Sequence, residues 1–128
     1  MSRVLWKSEP EAHDYPAAAS YLSLVADPDT VELIVDRLKA SSIVHYQAKD
    51  ILRASRLKIL PADNVHVAKD IAKVKSGKAL SPVLLVRGDL LRGIPLQIAD
   101  GYHRVCASYR LDEDTDIPCR TVGLTEPR

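Results

Sequence analysis

The chain is 128 residues long, which is enough for one domain with a hydrophobic core and too short for two domains of ordinary size. Its 18 Lys and Arg residues nearly balance its 17 Asp and Glu residues, and it contains no phenylalanine. A protein that wraps a nucleic acid usually carries a marked basic excess or a platform of stacking aromatic residues. We therefore expect that a nucleic acid is not the main partner.

The composition also bears on the cellular compartment. No run approaches the roughly 20 apolar residues that a membrane helix needs, so no membrane partner is expected. Charged residues interrupt the N-terminal segment too often for a signal peptide. Cys106 and Cys119 are too few for a disulfide framework. These features favour a cytoplasmic protein whose two thiols are reduced and buried.

The first half of the chain has the spacing of amphipathic helices. One helix is predicted to have Pro16 in its first turn, with Asp14 or Tyr15 before it. A second is predicted to start at the Asp27-Pro28 pair, and a third to span about residues 45–55. We expect residues 1–56 to form an N-terminal helical cap that belongs to the same compact unit as the rest. The predicted buried faces are Ala18, Tyr21, Leu22 and Val25 in the first helix, Val31, Ile34, Val35 and Leu38 in the second, and Ala48, Ile51 and Leu52 in the third.

From Leu57 the pattern changes to one of alternating strands and helices. Residues 57–60 alternate and stop before a proline, which predicts a short strand. Asp63 or Asn64 then caps a helix that runs to about Lys75, with an apolar side at Val67, Ile71 and Val74, and Gly77 ends it.

Three further strands and one helix complete the predicted core. The apolar run at 83–86 predicts a strand covered on both faces, and strands are predicted at 94–99 and 117–122, with a helix at 102–111 between them. We expect residues 57–128 to form an α+β core with a small mixed sheet and packed helices, which the N-terminal helices cover on one side or at one end. The tail from Leu124 is expected to be loose.

The most informative stretch is Asp100-Gly101-Tyr102-His103-Arg104, where a predicted strand meets a predicted helix. Unpaired amides and the positive end of a helix dipole suit a phosphate. Gly101 permits a sharp turn and the approach of an anion, Arg104 can reach back toward phosphate oxygens, and His103 can donate a hydrogen bond or exchange a proton. Asp100 can hold magnesium, accept a hydroxyl proton or hydrogen-bond the turn.

This stretch, together with the Val-Cys-Ala that follows it, resembles the ParB/sulfiredoxin superfamily. Members carry a G-x-x-R-x-x-A motif between a strand and a helix, which Gly101, Arg104 and Ala107 match. The segment at 75–83 resembles the superfamily's entry into its central strand, and the likeness covers about residues 57–122. The resemblance implies a ParB/sulfiredoxin-like domain that binds the phosphates of ATP, ADP or CTP on this turn, with Mg²⁺.

The known activities of that superfamily fit this sequence unequally. Sulfiredoxins have a reactive cysteine where this chain has Tyr102, and Cys106 lies a full turn further on, so the repair reaction lacks its nucleophile. ParB clamps continue into a DNA-reading helix-turn-helix domain, whereas six residues follow Val122 here, so we expect no partition clamp. A nuclease would need carboxylates arranged around a metal, and no such cluster is evident.

Free-serine kinases of the superfamily carry an Asp-Gly-His-x-Arg turn. The histidine of this chain falls one place later, which leaves the separate roles of Tyr102 and His103 open. No general base is assigned, and Glu32 and Asp70 are candidates by residue type alone.

Several other polar and aromatic residues are candidates for a role in the site. Lys69 is the best second phosphate ligand, in a predicted first turn that also contains Asp63, Asn64 and His66. The acidic stretch at 112–116 lacks the spacing of a calcium loop and is interpreted as a solvated turn. No zinc-ligand spacing is found, and Trp6 and Tyr15 are expected to pack against the core or a second subunit.

The sequence thus favours a nucleotide-binding domain that acts as a small-molecule phosphotransferase or NTPase. Gly101, Tyr102, His103, Arg104 and Lys69 would bind the phosphates, while Asp100 and His103 would be catalytic and Asp100 would hold the magnesium ion. One alternative is a non-enzymatic protein-interaction or regulatory module that retains the fold, and another is a DNA-binding protein or ParB-like nuclease. A homodimer is left open.

Overall fold

A computed structural model describes residues 3–124 of the chain. The described residues form five helices and four strands. In chain order these are α1 (Asp14–Leu22), α2 (Pro28–Ala40), β1 (Val44–Gln47), α3 (Ala48–Ser55), α4 (Val65–Lys75), β2 (Val83–Val86), β3 (Gln97–Asp100), α5 (Tyr102–Leu111) and β4 (Asp116–Val122).

The four strands form one mixed sheet in the order β1-β4-β2-β3. Strand β4 runs antiparallel to β1 and parallel to β2, while β3 runs antiparallel to β2. All four residues of β2 are buried, as the continuous apolar run from Val83 to Val86 predicts. The predicted α+β fold with a small mixed sheet and packed helices is confirmed.

Helices cover both faces of the sheet, so the molecule has three layers. Side chains of successive strand residues point to opposite faces. Val83 and Leu85 of β2 pack into one core with residues of α3, α4 and α5. Leu84 and Val86 pack into the other core with residues of α1 and α2. The N-terminal helices α1 and α2 therefore cover one side of the sheet, as expected.

The predicted third helix was wrong in its first turn and in its place in the fold. Residues 45–47 belong to β1, which pairs with β4 in the register His45↔Pro118 and Tyr46↔Ile117. The helix begins only at Ala48 and packs on the opposite face of the sheet from α1 and α2. The three helices therefore do not form one cap, and the sheet takes β1 from the segment before residue 57.

The strand predicted at 57–60 was also wrong. This segment is not paired with another strand but lies along α5, whose side chains satisfy its carbonyl groups. The Tyr102 hydroxyl donates to the Lys58 carbonyl at 2.5 Å, and the Arg110 guanidinium donates to the carbonyls of Ile59 and Leu60, each at 3.0 Å. The alternation of apolar and polar residues at 57–60 suggests an extended backbone. In the folded chain, side-chain donors of α5, and not a neighbouring strand, bind the carbonyl groups of this segment.

Two other boundaries differ from the prediction. Strand β3 begins at Gln97 rather than at residue 94, because the Leu96 amide leaves the sheet and donates to the Ala54 carbonyl of α3 at 3.1 Å. Helix α1 ends at Leu22, so its buried face is Asp14, Ala18 and Leu22. Tyr21 and Val25 of the predicted face are exposed.

The acidic stretch at 112–116 is an ordered turn that caps another helix. The first amides of α3, at Ala48 and Lys49, donate to the carbonyls of Thr115 and Glu113 at 2.9 and 3.0 Å. The Lys49 ammonium group also lies 2.5 Å from the Asp114 carboxylate. The acidic stretch at 112–116 opposes the helix dipole at the C-terminus of α5. The same stretch lies at the N-terminus of α3, where the dipole favours negative charge.

The remaining expectations about packing hold. Cys106 and Cys119 are free and buried, Trp6 packs against the α3–α5 core, and Tyr15 packs against the α1–α2 core. No helix among residues 3–124 combines the length and apolar character needed to cross a membrane. Of the tail expected to be loose, residues 125–128 lie outside the described residues.

The cap of α4 gives a direct test of this local structure. The Asn64 side chain accepts hydrogen bonds from the His66 and Val67 amides at 3.0 and 3.2 Å. We expect Asn64→Ala to lower the free energy of unfolding by about 1 kcal/mol, measured by urea denaturation. The adjacent Asp63→Ala, which removes an exposed side chain outside the cap, is expected to cost less than about 0.5 kcal/mol. A larger loss from the Asp63 variant would contradict the assignment.

Candidate functional site

The predicted turn lies between β3 and α5, as the sequence indicates. Strand β3 ends at Asp100, Gly101 adopts φ +109°, and the first helical hydrogen bond runs from the Val105 amide to the Gly101 carbonyl at 3.0 Å. No side chain caps α5. The amides of Tyr102 and His103 therefore precede the hydrogen-bond ladder of the helix and remain available to an acceptor.

The positive φ of Gly101 fits the sharp turn that the sequence predicts, but the close approach that this glycine permits is to β2 and not to an anion. A Cβ atom at this position would lie 2.4 Å from Cγ1 of Val83 in β2 and 3.0 Å from an Arg104 Nη atom. The missing side chain would therefore point into the sheet and not into the space that an anion would enter. Its absence and the positive φ let the backbone of the turn pack directly on β2.

Arg104 points inward and forms an ion pair with Asp100. Its Nη2 atom donates to Oδ2 of Asp100 at 2.9 Å and to the Pro82 carbonyl at 3.3 Å. Both charged side chains are more than four-fifths buried, with exposed fractions of 17% and 16%. The guanidinium thus links the end of β3 to the segment that enters β2, while its Nη1 group has no hydrogen bond to the described residues.

A second carboxyl group, which the sequence analysis did not select, lies beside this pair. Asp14 at the start of α1 is 2% exposed, and its Oδ2 atom accepts a hydrogen bond from the Glu11 amide at 2.9 Å. Burial raises the pKa of Asp100, and the charge and hydrogen bonding of Asp14 raise it further, against the opposing effect of Arg104. Asp14 occupies the apolar face of α1 one turn before Ala18, and that spacing was the signal that could have identified it.

Helix α4 brings a second group of polar residues to the start of α5. The His66 and His103 rings lie with their centroids 4.7 Å apart, at an interplanar angle of 50°. Burial lowers the pKa of His103, and the neighbouring His66 lowers it further, so His103 is mainly neutral at pH 7. Burial raises the pKa of Asp70, although the charges of Arg104 and Lys73 act to lower it.

The other predicted site residues differ in how close they lie to this group. The Tyr102 ring lies 5.6 Å from the His103 ring between centroids, and its hydroxyl donates to the carbonyl of Lys58. Lys69 is exposed on α4, and it is Lys73 whose charge acts on Asp70. Glu32 is exposed on α2, which packs against α1 and β4.

Neither cysteine is suited to act as a nucleophile. Burial raises the pKa of Cys106, and burial raises the pKa of Cys119 to about 12. The thiolate is the reactive form of cysteine, and these environments disfavour it.

The donor groups of the site bear on the predicted magnesium ion. Within residues 3–124, no three His, Cys, Asp or Glu side chains are grouped so that they could hold a metal ion. Asp14 and Asp100 are nevertheless a close pair of carboxyl groups whose mutual repulsion a divalent cation would relieve. The proposed role of Asp100 as a magnesium ligand stays a prediction.

Comparisons with known proteins found no match for this chain among models of protein families, curated proteins or solved structures. The resemblance to the ParB/sulfiredoxin superfamily therefore stays a prediction from the motif.

The Gly101 contact can be tested with a matched glycine. Gly77 also has a positive φ, +78°, but a Cβ atom there would meet nothing within 4 Å. We expect Gly77→Ala to cost about 1–2 kcal/mol of stability from backbone strain alone. Gly101→Ala should cost about 2–5 kcal/mol because overlap with Val83 adds to the strain. If urea denaturation gave equal losses of unfolding free energy for the two variants, the contact of Gly101 with β2 would not contribute to the cost of Gly101→Ala.

The raised pKa of Asp70 predicts a pH-dependent effect of removing its charge. A folded-state pKa above the ordinary value of 3.8 means that the folded chain loses stability as pH rises through that pKa. We expect Asp70→Asn to have a higher melting temperature than the wild type at pH 7, with the difference shrinking toward pH 4. The exposed Asp63→Asn serves as a control for the loss of a surface charge, and a difference independent of pH would contradict the assignment.

Proposed function

We propose that this chain binds a nucleotide through its phosphate groups at the N-terminus of α5. The observation that carries the proposal is the uncapped start of this helix, whose free amides lie beside cationic and titratable side chains from α4. Unpaired amides and the helix dipole favour negative charge at this position. The ligands expected from the motif are ATP, ADP or CTP.

The surrounding side chains have distinct roles in this proposal. The amides of Tyr102, His103 and Arg104 donate to phosphate oxygens, and the Nη1 group of Arg104 adds a charged donor. His103 donates a further hydrogen bond, and Lys73, whose charge acts on Asp70, adds positive charge. Lys69, exposed on the same helix, is a ligand only for the outer part of a long phosphate chain.

Turnover is the second part of the proposal. Phosphoryl transfer depends mainly on positioning and on neutralising charge, which backbone amides and an inward-facing guanidinium can provide. Asp100 and Asp14 would hold a magnesium ion, which would supply positive charge to the phosphates. His103, neutral at pH 7, would accept or return the proton of an acceptor hydroxyl. We infer a small-molecule phosphotransferase or NTPase in the cytoplasm.

A nucleotide panel tests binding without assuming a reaction. A ligand present at a hundredfold excess over its Kd stabilises a protein by about 2.7 kcal/mol, which thermal unfolding detects. We expect ATP, ADP or CTP to raise the melting temperature, and His103→Ala and Lys73→Ala each to weaken binding about tenfold. His45→Ala and Lys75→Ala, exposed residues on β1 and at the end of α4, are the matched controls. Arg104 is not substituted because it also anchors the turn.

Binding without hydrolysis or phosphorylation of small alcohols would favour the non-enzymatic module over the enzyme. The absence of any stabilisation by the three nucleotides would contradict the proposal, as would unchanged affinity in both His103→Ala and Lys73→Ala.

The pKa shifts in the site predict how affinity varies with pH. Protonated His103 attracts a phosphate, and ionised Asp70 and Asp100 repel it. Since the pKa of His103 is lowered by burial and those of both carboxyl groups are raised by burial, acidification adds positive charge and removes negative charge. Nucleotide affinity is therefore expected to increase from pH 7 to pH 5, measured by titration calorimetry, and His103→Ala should flatten this dependence.

A further inference from the structure

A cavity lies at the opposite end of the sheet from Gly101. Its volume is about 630 Å³, and its walls are α3 and the loop that joins β2 to β3. Gly101 packs against Val83 at the start of β2, whereas Leu85 and Arg87, at the end of β2, line this cavity. The cavity therefore lies outside the carboxyl ends of the parallel strands β2 and β4, where open α/β sheets commonly bind ligands.

The lining of this cavity combines an apolar floor with charged groups at its edge. Ile51, Leu85 and Leu96 contribute apolar side chains, and Ile94 and Pro95 extend the apolar surface along the loop. Cavities of about 300–1,000 Å³ with mostly apolar walls and a few polar groups are typical of small-molecule sites. The floor suits a ring system or a short hydrocarbon chain.

A polar atom in this lining has no partner. The Thr121 hydroxyl is buried and has no hydrogen bond to any group among residues 3–124. Thr121 lies opposite Leu85 in the parallel pairing of β2 with β4, and both residues line the cavity. Buried hydroxyl groups are nearly always hydrogen-bonded, so a polar atom of a ligand is one explanation for this unsatisfied group.

Arg56 is the second unusual feature, because it is in a backbone conformation that favours glycine. It ends α3 with φ +59°, and among residues 3–124 it is the one non-glycine residue with a positive φ. A non-glycine residue in this conformation is uncommon, and a functional role of its side chain can outweigh the backbone cost. The Arg56 guanidinium lies at the edge of the cavity and makes only a long hydrogen bond, 3.5 Å, to the Gly93 carbonyl.

The charges around the edge favour a negatively charged ligand. Both carboxylates that line the cavity, Asp50 and Asp89, have a cationic partner. The carboxylates form ion pairs with Arg53 at 3.0 Å and with Arg92 at 3.5 Å. Arg56 has no carboxylate partner in the described part of the chain.

We infer that this cavity is a binding site for a small organic anion with an apolar body. The acidic group of the ligand pairs with Arg56, the apolar body lies on Ile51, Leu85 and Leu96, and a polar atom of the ligand hydrogen-bonds to Thr121. This site is separate from the proposed phosphate site, and neither depends on the other.

A pair of fluorescent probes that differ in charge tests the inference. Anilinonaphthalene sulfonate is an apolar anion, and N-phenylnaphthylamine is its uncharged counterpart. We expect one equivalent of the sulfonate to bind, about tenfold more tightly than the amine. Arg56→Gly should remove this preference and raise the melting temperature, since glycine tolerates the positive φ without strain. Thr121→Val, which keeps the shape of the side chain, should weaken binding of the sulfonate severalfold.

The controls separate this site from nonspecific binding and from the phosphate site. Lys75→Ala removes an exposed cation on α4 and should leave the affinity for both probes unchanged. Saturating nucleotide should not displace the sulfonate. Equal affinity for the two probes, an unchanged preference in Arg56→Gly, or several equivalents bound would overturn the inference. The inference would also be overturned if the sulfonate bound only after a concentration-dependent dimer had dissociated. In the dimer, a second copy of the chain would then occupy the cavity.

Discussion

The close approach of the Gly101 backbone to Val83 determines how the rest of the candidate site is arranged. A glycine with positive φ ends β3 and starts α5 within one residue, while packing directly on β2. The start of α5 therefore lies against the sheet, and Arg104, one turn into the helix, comes within 2.9 Å of Asp100. A larger residue at 101 would displace the helix and separate this pair.

Burial gives the charges at that end of the sheet their chemical character. Asp14 lies at the start of α1, and Asp100 lies at the end of β3. Burial raises the pKa of Asp100, and Arg104 opposes this effect only in part. Burial likewise lowers the pKa of His103. The site therefore places carboxyl groups with raised pKa values and a histidine with a lowered pKa beside amides that favour negative charge.

The sheet separates two regions with different chemistry. One end presents helix amides and titratable groups around Asp100, and the other presents an apolar cavity edged by arginines. The β2–β3 loop and α3, which form the cavity, are linked by the hydrogen bond from the Leu96 amide to the Ala54 carbonyl. That bond draws the chain out of the sheet before β3 begins, so the same contact that shortens β3 also forms a wall of the cavity.

Elements whose signals lie within one segment could be predicted from the sequence. The Asp27 cap, the apolar run of β2 and the glycine before α5 specify local backbone geometry, and each was identified correctly. The cap of α4 was narrowed to Asp63 or Asn64, and the structure assigns it to Asn64. The motif at 100–104 was also placed correctly between a strand and a helix. These features depend on hydrogen bonds and packing patterns that are readable over a few residues.

Tertiary structure alone decided the elements whose identity depends on a distant partner. Residues 45–47 became a strand because β4 supplies hydrogen bonds, whereas residues 57–60 did not because Tyr102 and Arg110 supply them instead. Asp14 joined the site because α1 packs along β3 and buries that carboxyl group next to Asp100. The hydrogen bonds of these segments and the burial of Asp14 depend on residues that are distant in the chain. No local sequence pattern specifies which distant residues these are.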